Sequence, residues 1–270
     1  MSSPRTREQL RNHYLVEKEL AERLRAASPM ERPSLYSTLY EELFARVPDH
    51  PRLTRRDTES ESLKAVNARL RFVEKFLTPE TDFLEIAPGD CRFSFAVAAK
   101  ARHVFAADIS DQSATSSKPA NFTLIIYDGS KFDFPAESVD LAFSYQFLEH
   151  IHPDEVPDHF RLVHRALRPG GRYILDTPHR YSGPHDISRY FSDTPDGFHL
   201  KEWTHRELAQ VAREAGFSRV EAARHSIAQL GRVGWNALLA LEAAVSHAPH
   251  KLRRALFGRV LSSVSLICTK

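Results

Sequence analysis

The 270-residue sequence predicts an α/β fold: a seven-stranded, mostly parallel sheet with helices on both faces and a helical cap at the N-terminus. Three observations carry this. The first 56 residues read as helices alone. From Phe83 to Ala223, short apolar runs alternate with helical segments, and that alternation demands crossover connections, which build parallel sheets. A last apolar run, Leu266 to Thr269, supplies the seventh strand.

The elements follow in order. Thr6 and Gln9 form a capping box for a helix reaching about Ala27. A second box, Ser28 with Glu31 and with Pro29 at the first helical position, opens another helix, whose first turn Pro33 disturbs. Leu35, Leu39 and Leu43 give that helix an apolar face. Val47-Pro48-Asp49-His50-Pro51 breaks it. A third helix runs from about Thr58 to Leu77, where Leu63, Val66, Leu70, Val73 and Leu77 make one buried stripe. Strands are expected at 83–86, 103–108, 122–127, 139–144, 172–176 and 218–223, and helices at 93–101, 153–167 and 204–215. Residues 231–262 then read as two helices, one apolar through Trp235 and Leu238, one decorated by Lys251, Arg253, Arg254 and Arg259. A packed helical insertion, a membrane-surface helix and a homodimer contact are the readings open for it. The boundaries that follow are a cap at 1–56 and a main domain at 57–270.

Composition narrows the function classes. Hydrophobic residues make up 42% and charged residues 27%, with a net charge of +2, so no dedicated nucleic-acid binder is expected. There is no run of 18 apolar residues and no apolar core in the charged N-terminal stretch, so neither a membrane span nor a secretory signal is expected. Two cysteines, Cys91 and Cys268, point to a reducing cytoplasm.

In an open parallel sheet, ligands bind beyond the carboxyl ends of the strands. After the first strand lies Glu85-Ile86-Ala87-Pro88-Gly89-Asp90-Cys91-Arg92. Gly89 lets backbone approach a ligand, while Ala87 and Pro88 keep the turn compact. One glycine instead of three disfavours a dinucleotide, and acids at both ends of the loop disfavour a phosphate. The second strand ends at Asp108, 23 residues after Glu85, where a carboxylate can accept both hydroxyls of a ribose. The third ends at Tyr127-Asp128-Gly129, where a carboxylate can accept from an exocyclic amine. Three acids at three strand ends outline a nucleoside site without phosphates.

The segment Phe83 to Cys91 resembles motif I of the class I S-adenosylmethionine-dependent methyltransferases. Asp108 matches their ribose acid and Tyr127-Asp128-Gly129 their adenine-contact segment. Phe134 to Ser144, continued by Phe147-Leu148-Glu149-His150-Ile151, resembles motif IV, and Leu167-Arg168-Pro169-Gly170-Gly171 the turn before the fifth strand. The likeness covers about 80–223 and is nearest the small-molecule branch typified by ubiquinone and menaquinone biosynthesis. It implies a Rossmann-like sheet and S-adenosylmethionine as cofactor. It implies a cofactor site of Glu85, Ala87, Pro88, Gly89, Asp108, Ile109, Asp128, Gly129, Ser144 and Tyr145. Ala87 and Cys91 stand where the family carries glycine. A helix N-terminus would lower the Cys91 thiol pKa, yet a small residue opening a buried helix explains it better than a nucleophile does.

Eight of the 14 histidines fall between His150 and His205, a fifth of the chain. Many lie in the 27 residues Thr177–Trp203, long for a strand-to-helix connection and therefore expected to be functional. In the family, this region and the N-terminal helices lid the substrate pocket. Methyl transfer is an in-line displacement, for which positioning alone can contribute about 7–11 kcal/mol. A base is needed only when the acceptor must lose a proton, as a hydroxyl must, and histidine suits that near neutral pH. His150, His185 and His199 are the candidates, each with a structural reading beside the catalytic one. A metal set of His179, His185, Asp186 and His199 fits no tight spacing, so no metal is expected. Tyr190 and Trp203 either stack on a ring or pack the lid. The expected activity is methylation of a small acceptor at oxygen, a sugar or a biosynthetic intermediate. A non-catalytic binding protein, or a methyltransferase of protein or RNA, is the alternative.

Overall fold

The computed structural model describes residues 5–54, 58–113, 115, 117–128, 134–223, 231–260 and 262–270. Its centre is a seven-stranded sheet of order β3-β2-β1-β4-β5-β7-β6. The strands are β1 (Asp82–Ile86), β2 (His103–Asp108), β3 (Phe122–Ile126), β4 (Val139–Tyr145), β5 (Leu167–Pro178), β6 (Arg219–Ala222) and β7 (Ser263–Thr269). Strands β1 to β5 pair in parallel, and β7 runs antiparallel between β5 and β6. β5 and β7 are both longer than the sequence reading gave, because they pair over Arg172–Pro178 and Ser263–Thr269. The polar residues of that stretch, such as Ser263 and Ser265, sit on the Asp176 carboxylate and so enter the strand without an apolar signal.

Each face of the sheet carries its own core. Leu84, Ile86, Ala142 and Tyr173 pack with Phe160 and Val163 of α6 (Val156–Ala166) and Leu208 and Ala212 of α7 (His205–Glu214). Phe83, Leu141 and Phe143 face the other way, onto Phe72 and Val73 of α4 (Glu59–Val73) and Phe93 and Val97 of α5 (Arg92–Ala98). Alternate residues of one strand therefore feed two cores, as the pleat requires. α4 carries a capping box at Thr58–Glu61, but its stripe begins at Val66. Leu63, expected in that stripe, is 55% exposed, ahead of the buried contacts that begin at Val66.

The N-terminal helices are α1 (Arg7–Ala26), α2 (Arg32–Arg46) and the single turn α3 (Pro51–Thr54). Thr6 and Gln9 form the box expected for α1. Ser28 and Glu31 do pair, but Glu31 accepts from both the Ser28 amide and hydroxyl, 2.9 and 2.7 Å. That closes a turn, and α2 starts only at Arg32. Leu20, Leu24, Leu39 and Leu43 bury themselves against Phe198 and Leu200 of the segment after β5.

The segment before β7 forms α8 (Gly231–Val245) and α9 (His250–Val260). Leu238, Val245 and Phe257 pack on Tyr181. The polar fastening is Glu242, whose Oε1 accepts from His179 Nε2 at 2.7 Å and His205 Nδ1 at 2.8 Å. The same residue accepts the His205 and Arg206 amides at the start of α7. Burial alone would raise its pKa, but the bonds from His179 and His205 outweigh burial and hold the carboxyl well below the usual range. Among the described residues, no helix is long and apolar enough to cross a membrane.

A depressed carboxyl pKa contributes stability that is complete above the unfolded value of about 4.3 and is lost as pH falls toward the lower folded value. Glu242→Gln is expected to lower stability at neutral pH by about 2–3 kcal/mol. It should also flatten the fall in stability below about pH 4. Urea denaturation of both proteins across pH checks this.

Candidate active site

The strand ends present the turn between β1 and α5. Ala87, Gly89 and Cys91 all adopt the left-handed conformation, with φ of 57°, 58° and 59°. Only Gly89 is free of a Cβ there, and nothing lies within 4 Å of where one would point. The turn is tied to β2 by Asp108, whose Oδ2 accepts the Gly89 amide at 3.1 Å and whose Oδ1 accepts the Ile109 amide at 2.7 Å. Burial raises the Asp108 carboxyl above its ordinary value. Glu85 is buried, bonded to the Ser94 hydroxyl of α5, and burial pushes its carboxyl up to about 7. The cation facing it is Arg69 of α4, which lies over the Tyr145 ring at 4.9 Å.

The remaining expected cofactor residues spread around this turn. Pro88 is buried within it. Ile86 pairs with Ala107 on one side and with Ser144 on the other, which sets β2 and β4 beside β1. The Ser144 hydroxyl shares a 2.7 Å bond with Tyr173, itself 2.9 Å from His159. Asp128 is exposed past β3, and Gly129 lies outside the described residues. Cys91 is buried, and burial pushes its thiol up to about 11. This corrects the expected lowering by the α5 N-terminus: desolvation of the thiolate outweighs the helix field.

A cavity of about 420 Å³ lies between α1–α3 and residues 185–199. His150, His185 and His199 all line it. Their environments differ. His150 bonds the Phe198 carbonyl through Nδ1 at 3.0 Å, and burial, with His199 and Arg52 nearby, pushes its pKa down to about 3. His185 shares 2.8 Å with the Ser182 hydroxyl, and burial lowers it too. For His199, burial pulls down, but the 2.9 Å bond from Nδ1 to Glu202 and the nearby Glu149, Glu202 and Asp186 charges win, so its pKa is raised. Glu202 also accepts the His185 amide at 2.7 Å. Tyr40, another wall of the cavity, lies within the electrostatic reach of Asp108, as does Arg52.

The metal set weighed on sequence is not assembled, since His179 points to Glu242 and His199 to Glu202. Trp203 is buried, donates to the Leu148 carbonyl at 3.2 Å and packs the lid, whereas Tyr190 is 52% exposed at the cavity wall. Sequence reasoning missed Glu202, Tyr40, Arg52, Arg69 and Arg189. Only Glu202 left a signal, three residues after His199. The others come from distant segments.

A residue with a Cβ costs about 1–2 kcal/mol in the left-handed conformation. A new glycine costs about 0.4–1 kcal/mol through the unfolded chain. Ala87→Gly is therefore expected to stabilise the protein by up to about 1 kcal/mol. A higher melting temperature by calorimetry checks it.

Residues 84–175 match the family described as Methyltransferase domain. No curated protein matches the chain significantly. Among solved structures, the chain is similar to an S-adenosylmethionine-dependent methyltransferase from Mesorhizobium loti, at 17% identity and a TM-score of 0.50 over 77% of this chain and 96% of that one. A second, from Archaeoglobus fulgidus, gives 16% and 0.52 over 77% and 94%. Haemonchus contortus phosphoethanolamine N-methyltransferase 2, solved with S-adenosyl-L-methionine, gives 14% and 0.51 over 75% and 51%. These likenesses show a shared fold. The open space over Gly89 and the two-oxygen Asp108 acceptor at the β2 end fit that cofactor. Residues 84–175 thus carry a methyltransferase domain, and the sheet that holds it has the fold shared by S-adenosylmethionine-dependent methyltransferases.

Proposed function

We propose that this enzyme methylates a hydroxyl oxygen of a small molecule seated in the cavity between α1–α3 and residues 185–199, with His199 as base and Glu202 as its positioning partner. One observation carries the reading: His199, bonded to Glu202, lines a cavity whose wall residues Tyr40 and Arg52 lie within electrostatic reach of Asp108 at the β2 end. About 420 Å³ lies within the range of small-molecule sites, roughly 300–1,000 Å³. Residues 1–56 serve as the cap and 57–270 as the methyltransferase domain.

S-adenosylmethionine supplies an activated methyl group when bound. The chain's residues do the rest. Asp108 accepts from ribose hydroxyls, and Arg69 balances the cofactor's carboxylate beside Glu85 and Tyr145. Asp128 lies at the β3 end, where it can accept from the adenine amine. Glu202 holds Nδ1 of His199, which leaves Nε2 to take the hydroxyl proton as the oxygen attacks. His150, with its pKa near 3, is a weak base and serves as wall. His185 braces the lid through Ser182 and its amide bond to Glu202. The cap and lid together exclude water, so the acceptor oxygen meets the methyl carbon in line.

Asp108→Ala is expected to weaken S-adenosylmethionine binding by about ten- to hundredfold, read by calorimetric titration. Unchanged affinity would remove Asp108 from the cofactor site. Turnover is read as S-adenosylhomocysteine release with a panel of hydroxylated small molecules. It should rise with pH through the raised His199 pKa, because only the neutral ring accepts a proton. His199→Ala should abolish turnover with cofactor affinity intact. Glu202→Gln should move the inflection to lower pH and reduce kcat, a shift that a merely structural role would not produce.

A further inference from the structure

We propose that the acceptor carries an anionic oxygen group, a phosphate or a carboxylate, held by Arg52 and Arg189 at the mouth of the cavity. This rests on the reading of that cavity as the acceptor site. Three arginines line the cavity: Arg5, Arg52 and Arg189. Arg5 is committed, its Nε donating to Asp49 at 2.8 Å. Arg52 and Arg189 have no carboxylate partner among the described residues.

The two carboxylates in the cavity wall, Glu17 and Asp186, are turned to other donors and pair with neither arginine. Glu17 accepts the Phe198 amide at 2.9 Å with Oε1 and His13 at 2.7 Å with Oε2. Asp186 accepts the Ser188 amide at 2.9 Å and the Gly197 amide at 3.1 Å. Two guanidinium groups without a carboxylate partner at one cavity mouth offer charge-assisted donors to an anion.

Both arginines are also arranged in advance. Arg52 comes from α3 in the cap and lies over the Tyr40 ring at 5.3 Å. Arg189 comes from the segment after β5, lies over the Tyr190 ring at 4.9 Å and donates to its hydroxyl at 2.9 Å. Stacking fixes the guanidinium plane, and a fixed plane presents paired N–H donors to an oxyanion. One arginine belongs to the cap and the other to the lid, so an anion between them would also tie the two walls together. The hydroxyl to be methylated would then be carried toward His199 by the rest of the molecule.

The test uses the full chain saturated with S-adenosylhomocysteine. Inorganic phosphate and, separately, benzoate are titrated calorimetrically. At least one is expected to bind one-to-one in the millimolar range or tighter. Arg52→Gln and Arg189→Gln should each weaken it tenfold or more. Arg172→Gln, in the middle of β5 and over Phe76, should leave it unchanged. A response to phosphate alone identifies a phosphate ester, and one to benzoate alone a carboxylate. Three results overturn the proposal: neither probe binds, both variants bind as tightly as wild type, or Arg52→Gln and Arg189→Gln lose S-adenosylmethionine affinity instead. S-adenosylmethionine titrated into the wild-type chain reports separately on the methyltransferase reading. Failure there defeats that reading, whereas cofactor binding without an anion response defeats only the proposal made here.

Discussion

Arg25 spreads its guanidinium over four backbone carbonyls, those of Pro195, Asp196, Gly197 and His199, at 3.0–3.2 Å. Two turns earlier on α1, Glu17 accepts the Phe198 amide from the same segment. These contacts satisfy backbone groups that would otherwise be buried without partners, a debt of about 1–3 kcal/mol each. They also decide where the lid sits. With Phe198 and Leu200 drawn into the core of α1 and α2, His199 between them is turned toward Glu202 and the cavity. Cap, lid and candidate base therefore form one unit.

The turn after β1 shows a different constraint. Three positions need a left-handed backbone, and only one is glycine. The strain at Ala87 and Cys91 is held by what surrounds them: the Asp108 bond to Gly89, the β2 carbonyl that accepts the Ala87 amide at 2.8 Å, and the burial of the Cys91 sulfur. A turn that keeps its shape despite unfavourable residues is over-determined by its neighbours, which is how strained functional loops persist.

Burial divides the cavity histidines by charge. His150 and His185 lose their proton affinity to desolvation, with no carboxylate hydrogen-bonded to the ring. His199, equally enclosed, keeps its affinity because Glu202 bonds its ring and Glu149 lies close by. One residue type thus acquires opposite behaviour within a single cavity, and the decisive difference is one carboxylate.

By itself the sequence determined the layered α/β architecture, the strand ends and the acids on them. These are local matters: apolar period, caps and turn residues act over a few neighbours, and strand ends follow from them. The three candidate histidines were legible too, His185 and His199 because they lie in a connection too long to be a plain loop, His150 because it follows the fourth strand. Only the tertiary structure decided which of them is bonded to a carboxylate, and that Arg52 and Arg189 line the same cavity. Arg52 and Arg189 reach that cavity from segments more than a hundred residues apart, and the histidine pKa shifts arise from burial, which no local pattern encodes. The lengths of β5 and β7 were hidden for the same reason. Their polar residues are strand residues only because Asp176, on the partner strand, accepts from them.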